Sequence, residues 1–141
     1  MIDNNCAYCV EGDLVAKFGI KICELDTCKV YLFKEQSHRG RVIAAHKKHV
    51  GDMTELSAEE RSKYFEDIAK ISGVLQEIFS PQKINYGAYG DTGHHLHFHL
   101  VPKYTDEFEW GGTFVMNPDK VYLNDTEYAD MIDQIKSALE A

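Results

Sequence analysis

The segment from Gly93 to Tyr104, GHHLHFHLVPKY, places His95, His97 and His99 at every second position, with Leu96, Phe98 and Leu100 between them. A repeat of two is the period of a β-strand, whose successive side chains point to opposite faces. Such a strand lays its apolar side chains against a core and gathers three imidazoles on the other face. An imidazole titrates near pH ~6.5, and crowding three of them disfavours the protonated form. The row is therefore expected to be largely uncharged at neutral pH, and a neutral imidazole is a nucleophile, a general base or a metal ligand.

The rest of the chain supplies the sheet and the layer that such a strand requires. Between Ile20 and Ala45, the segments IKICEL, CKVYLFK and GRVIAA are β-branched or aromatic and are separated by DT and EQSHRG, which predicts three neighbouring antiparallel strands. LSAEERSKYFEDIAKISGVLQEIF follows, with Ser57 and Glu60 as a capping box and Phe65, Ile68, Leu75, Ile78 and Phe79 at helical spacing, closed by Pro81. KINYGAYGD and HLHFHLVPKY read as two further strands joined by a loop at Gly90–His94, which makes the histidine strand central. FEWGGTFVMNPDK reads as an irregular loop, and a last helix from about Thr126 to Leu139 carries Tyr128, Met131, Ile132, Ile135 and Leu139 on one stripe. The expected fold is a single α+β domain over residues 1–141: a five-stranded antiparallel, meander-type sheet with the long helix and the C-terminal helix on one side.

A chain of 141 residues can build such a core without disulfides, and its net charge of −8 argues against a polyanion held by phosphate contacts. No apolar run is long enough to span a bilayer, and MIDNNC lacks the basic and apolar regions of a secretory signal, so a cytoplasmic setting is expected. There the four cysteines should be thiols. Cys6 and Cys9 form a C-x-x-C, the spacing at which one turn of chain offers two thiolates to one zinc ion. Cys23 and Cys28 lie in strand-like sequence and read as small buried hydrophobes. Arg39, Arg41, Lys47, Lys48 and Lys103 read as solvated surface charges, and His38, His46 and His94 as ordinary histidines. Trp110 reads equally as a packing residue and as a substrate contact.

Taken together, HLHFHLV, the stretch RGRVIAAHKKHVGDMTEL leading into the long helix, and INYGAYGDTGHHLHFHLVPKY resemble the histidine-triad (HIT) family of nucleotide hydrolases and transferases over nearly the whole chain. WGG at Trp110–Gly112 is similar to bacterial members that hydrolyse dinucleoside polyphosphates. The resemblance implies a HIT-like fold in which His97 attacks the α-phosphate of a small-molecule nucleotide and forms a nucleotidyl-histidine intermediate. It implies that His99 stabilises the phosphoryl oxygens, and that Asp91 and Thr92, in the loop before the triad, touch phosphate. Family members often carry Gln or Asn where Asp91 stands, so its carboxylate is a departure. Asn85 lies near the family's amide position, and Phe33 and Lys34 border the expected nucleoside pocket. In the zinc-bearing branch, the remaining ligands are a histidine before the long helix and the first histidine of the triad, here His49 and His95. His46, three residues before His49, is the competitor for that place. A two-Cys, two-His set fills the metal's coordination, so this zinc would be structural, one per chain. The family also implies a homodimer.

Two other functions are consistent with the residues. A zinc hydrolase could hold a catalytic metal on His95 and His97, and a nucleotide-binding protein could keep the pocket without turnover.

Overall fold

The computed structural model describes residues 5–91, 93–115 and 121–141. Two short helices, α1 (Ala7–Val10) and α2 (Asp13–Ala16), lead into strands β1 (Gly19–Glu24), β2 (Cys28–Phe33) and β3 (Val42–His46). The long helix α3 (Ala58–Phe79), strands β4 (Lys83–Gly87) and β5 (His97–Lys103) and the helix α4 (Asp125–Leu139) follow.

All neighbouring strands pair antiparallel, in the order β1-β2-β3-β5-β4. The first three make the expected meander. β5 then enters beside β3 and takes β4 on its outer side, so the histidine strand is held along both edges. Its register opposes Ile43 to His99 and Ala45 to His97, while β2 opposes Tyr31 to Ile43, and these side chains share one face. On the other face Val30, Leu32, Ala44, Phe98 and Leu100 pack with the buried side chains of α3 and α4. Each fully buried aliphatic side chain there contributes roughly 1.5–3 kcal/mol through the hydrophobic effect.

α3 forms because its buried positions, among them Ile68, Ile71 and Leu75, recur at helical spacing and its first turn is capped as the sequence predicts. The Glu60 N–H donates to Ser57 Oγ at 3.1 Å, and the Ser57 N–H donates to Glu60 Oε1 at 2.8 Å. Ser80, in the left-handed region at φ 49°, ends the helix just before Pro81. Asn124 and Glu127 make the same reciprocal cap at the start of α4.

The helices do not all lie on one side. α1 and α2 cover the opposite face, where Tyr8 and Val15 pack with Tyr31, Phe33, Ile43 and Ala45 in a second, smaller core. β3 is consequently buried at all five positions, which explains why its first four residues, Val42 to Ala45, are apolar without alternation. Helices of four residues leave no periodic signal, so neither α1 nor α2 is legible before the fold is known. Cys23 and Cys28 are buried in the main core, as expected.

Candidate functional site

A cleft of about 590 Å³ opens on the α1 side of the sheet, with His95, His97 and His99 along its floor. Its walls include Phe33 and Ile43 from the sheet, Tyr8 from α1 and Phe18, and Tyr89 and Asp91 stand on the side of the β4–β5 loop. Of the residues predicted to bind substrate, Phe33 and Asp91 line this cleft, while Lys34 and Asn85 do not. Lys34 Nζ donates to the Ala16 carbonyl, and Asn85 Oδ1 lies 3.5 Å from Lys103 Nζ. Thr92 lies outside the described residues.

At one end of the row, four potential metal ligands converge: Cys6, Cys9, His49 and His95, with ligand atoms all within 4.8 Å of one another. Cys6 and Cys9 reach one point because the single turn of α1 separates them, the Cys9 N–H donating to the Cys6 carbonyl at 3.2 Å. His95 Nδ1 lies 3.3 Å from Cys6 Sγ, 3.6 Å from Cys9 Sγ and 3.2 Å from His49 Nδ1, and Cys9 Sγ lies 3.3 Å from His49 Nδ1. An ion about 2.3 Å from sulfur and about 2.0 Å from nitrogen in a tetrahedron sets its ligand atoms roughly 3.3–3.8 Å apart, so the set fits such an ion. His95 Nε2 donates to the His46 carbonyl at 2.5 Å, which leaves the Nδ1 lone pair turned toward the sulfurs, the usual outer support of a metal-bound imidazole. Burial raises the Cys6 thiol above its ordinary value, so a cation is what would hold it as a thiolate.

The structure separates the two candidates for the second histidine ligand. His46 points into the main core, its ring 4.8 Å from that of Tyr64, and its Nδ1 accepts the Lys48 N–H at 2.9 Å. His49, not His46, stands with the thiols.

His97 occupies the middle of the floor. Its Nδ1 donates to the His95 carbonyl at 2.7 Å, so a neutral ring carries its proton there and leaves Nε2 with a free lone pair. Burial holds its pKa below the ordinary value, against the pull of the His95 carbonyl. The Tyr8 ring lies 5.1 Å from the His97 ring, inclined by 38°, and covers it from α1.

His99 is buried against Arg41, a residue that the sequence reading left in solvent. Arg41 is 0 % exposed, and its Nε and Nη2 lie 3.3 and 3.1 Å from His99 Nδ1. Burial, with Arg41 and then His97 beside it, pushes the His99 pKa down to about 2. Lys103 was also expected at the surface; it is 2 % exposed and donates to the Gly112 carbonyl at 2.8 Å. Both cations instead pin the loop that follows β5, because Arg41 Nη1 donates to the Val115 carbonyl at 3.1 Å. That loop folds Phe114 over the site, its ring 6.3 Å from His99 and 6.0 Å from Tyr89. Gly87, opposite His99 on β4, permits this approach, since a Cβ there would stand 2.5 Å from Tyr89 and 2.6 Å from Phe114. Trp110 is 44 % exposed and does not line the cleft.

His38 remains structural. Its Nε2 donates to Glu109 at 2.8 Å, and burial lowers its pKa. Tyr8, Phe18, Arg41, Ile43, Tyr89 and Phe114 are among the site residues that sequence reasoning missed, and His94, read as an ordinary histidine, also lines the cleft. Tyr8 had a signal, since it lies between the two cysteines and must travel with them. Nothing local marks Arg41 apart from any arginine before a strand.

Comparison with known proteins agrees with this fold. Residues 19–106 match the model of the HIT domain. The chain is 24 % identical over 122 residues to the protein hit of Bacillus subtilis, covering 82 % of each. It is also 24 % identical over 129 residues to an adenosine 5'-monophosphoramidase of Schizosaccharomyces pombe, covering 83 % of this chain and 90 % of that one. Among solved structures, a histidine triad protein from Marinobacter aquaeolei superposes with a TM-score of 0.84 at 21 % identity, over 92 % of this chain and 95 % of the other. A Zn-bound histidine triad family protein from Mycobacterium smegmatis superposes with a TM-score of 0.67 at 20 % identity, over 96 % and 93 %. These likenesses establish the fold.

Proposed function

Because the chain belongs to the HIT domain family, which its match over residues 19–106 shows, we propose that it hydrolyses a nucleotide at its α-phosphate through a covalent intermediate on His97. The substrates that this reading implies are nucleoside phosphoramidates or dinucleoside polyphosphates such as diadenosine tetraphosphate. The observation that carries it is the His97 ring, anchored through Nδ1 on the His95 carbonyl with Nε2 free at the floor of the cleft.

Nε2 attacks phosphorus in line with the leaving group, so a P–N bond forms as the P–N or P–O bond to that group breaks and its electron pair departs with it. The leaving group takes a proton from solvent. A water molecule then attacks the phosphorus of the nucleotidyl-histidine, the imidazole leaves uncharged, and that water's proton returns to solvent. His99 donates to a non-bridging oxygen as charge gathers on it. Phe33 and Phe18 form the apolar wall against which a nucleoside rests, and Asp91 borders the phosphate side, with Thr92 one residue on. Asn85 and Lys34 keep only outlying roles in this scheme, since neither lines the cleft.

In the same proposal Cys6, Cys9, His49 and His95 hold one zinc ion per chain, a group whose tetrahedral spacing and S₂N₂ donor set suit that metal. With four protein ligands it would tie α1 to the start of β5 and leave no water to activate. This favours the phosphoryl scheme over a catalytic metal on His95 and His97, since His97 stands outside the converging set. The protein would work as a single-domain subunit of a cytoplasmic homodimer. The exposed outer edge of β4 is compatible with a second copy. Among the described residues, no helix is long and apolar enough to cross a membrane.

The test is to incubate the protein with adenosine 5'-phosphoramidate and with diadenosine tetraphosphate, quench in base, and search by mass spectrometry for adenylate on His97. Adenylate on that residue is expected, together with turnover that survives removal of zinc from the still-folded protein. Equal turnover by a His97→Gly variant would sink the proposal. Binding of nucleotide without consumption of either compound would make the chain a binding protein. Light scattering that finds only monomer at micromolar concentration would remove the dimer.

A further inference from the structure

Moving a guanidinium out of water costs several kcal/mol unless its N–H groups find partners, so a wholly buried arginine has to be explained by what it holds. Arg41 lies just before β3, with its guanidinium carbon 4.2 Å from the centre of the Phe33 ring and 4.9 Å from that of Phe114. Two of its nitrogens, Nε at 3.3 Å and Nη2 at 3.1 Å, lie on the same atom, His99 Nδ1. A guanidinium only donates. Burial lowers the Arg41 pKa to about 10, which still leaves it charged at neutral pH.

A ring nitrogen that receives two donors presents its lone pair, and a neutral imidazole with a bare Nδ1 carries its proton on Nε2. We infer that Arg41 is a positioning residue that locks His99 in its Nε2–H tautomer, so that the ring offers a proton and not a lone pair to the phosphoryl oxygens. The inference concerns the same site as the proposed hydrolysis and rests on it for its catalytic meaning. The tautomer stands on the Arg41–His99 geometry alone. With the opposite tautomer, a nitrogen lone pair would face the oxygen that gains charge, and the interaction would be repulsive where stabilisation is required. Lysine cannot replace the arginine, because a single ammonium has neither the planar fork nor the flat surface that stacks between Phe33 and Phe114.

Long-range ¹H–¹⁵N correlation spectra of the zinc-loaded, full-length protein read the tautomer of His99 directly, assigned by comparison with His99→Gln. The wild type is expected to show one species protonated at Nε2. A proton on Nδ1, or a rapid mixture of tautomers, overturns the inference even if no variant of Arg41 folds. In Arg41→Met, kcat with adenosine 5'-phosphoramidate should fall ~10²-fold while KM moves less than about threefold, and Arg41→Lys should recover little of that loss. The same change placed on His99→Ala should cost less than about twofold more, because the group it acts through is gone. An equal loss in both backgrounds assigns Arg41 a purely structural role and overturns the inference. Full turnover by His97→Gly, beside an Nε2–H tautomer at His99, sinks the hydrolysis reading and supports the lock.

Discussion

The two faces of this sheet are built from the same strands and packed by opposite rules. On the α3 and α4 side the contacts are mainly hydrocarbon: Leu32, Val42, Leu100, Ile71 and Leu75 close on one another, and their arrangement is set by volume. On the α1 side, buried polar groups stand among aromatic rings, and nearly every one is committed to a named partner. His95 Nε2 holds the His46 carbonyl, His97 Nδ1 holds the His95 carbonyl, and His99 Nδ1 receives Arg41. Three identical side chains at alternate positions, His95 just before β5 and His97 and His99 within it, thereby reach three different states, a potential metal ligand, a free lone pair and a ring gripped by a cation. The lesson is that the main core supplies rigidity while the cleft face spends that rigidity on orientation.

The sharpest way to test this contrast is to damage each face separately. Replacing His97 with Gly should lower turnover by at least ~10³-fold, about 4 kcal/mol in the barrier, while the melting temperature stays within a few degrees. The comparison fails if the protein unfolds instead, since His97 would then be a packing residue. On the other face, Leu75→Ala should cost ~2–5 kcal/mol of stability in denaturant melts, with kcat of the folded fraction unchanged. A lost kcat there, at full stability, would show that the faces are not separable.

A smaller effect is expected at the border of the cleft. Gly87→Ala places a methyl 2.5 Å from Tyr89 and 2.6 Å from Phe114, and both rings must move away from that methyl, which disturbs the border of the cleft beside His99. We expect roughly a tenfold loss in kcat/KM, mostly through KM, with under about 2 kcal/mol of destabilisation. Unchanged kinetics would place Phe114 outside the working site.

A pH dependence is expected as well. His38 and His99 have folded pKa values below their unfolded ones, His99 at about 2, both chiefly through burial. The unfolded chain therefore binds more protons as the pH falls through the ordinary imidazole range, so this part of the stability is complete above pH ~6.5 and declines below it. Thermal melts should show a midpoint that falls steadily from pH 7 to pH 5. A midpoint that rises over that interval would contradict the burial of these rings.

Much of the fold was legible because its signals are local. Ser57 and Glu60 mark the start of α3, Pro81 follows its end, and the alternation of His97, Phe98, His99 and Leu100 marks β5. The potential metal group was legible as well, because C-x-x-C and two histidines carry their chemistry in residue type and spacing. Asn85 and Lys34 were placed by chain position, and position does not report where a side chain points: one meets Lys103 and the other turns back to Ala16. Arg41 and Lys103 were misjudged because a charge is usually solvated, and it takes His99 together with the carbonyls of the loop from Gly112 to Val115 to make their burial tolerable.

What the amino-acid order determined by itself is a strand with imidazoles on one face and hydrocarbon on the other, since side-chain alternation follows from strand geometry whatever the neighbours. It also determined the capped helices that cover the hydrocarbon. Which nitrogen of each imidazole is free was decided only by the tertiary structure, through the carbonyls of His46 and His95 and the guanidinium of Arg41. A proton's place on a ring depends on the partner across from it, and those partners come from segments that meet only when the chain has folded.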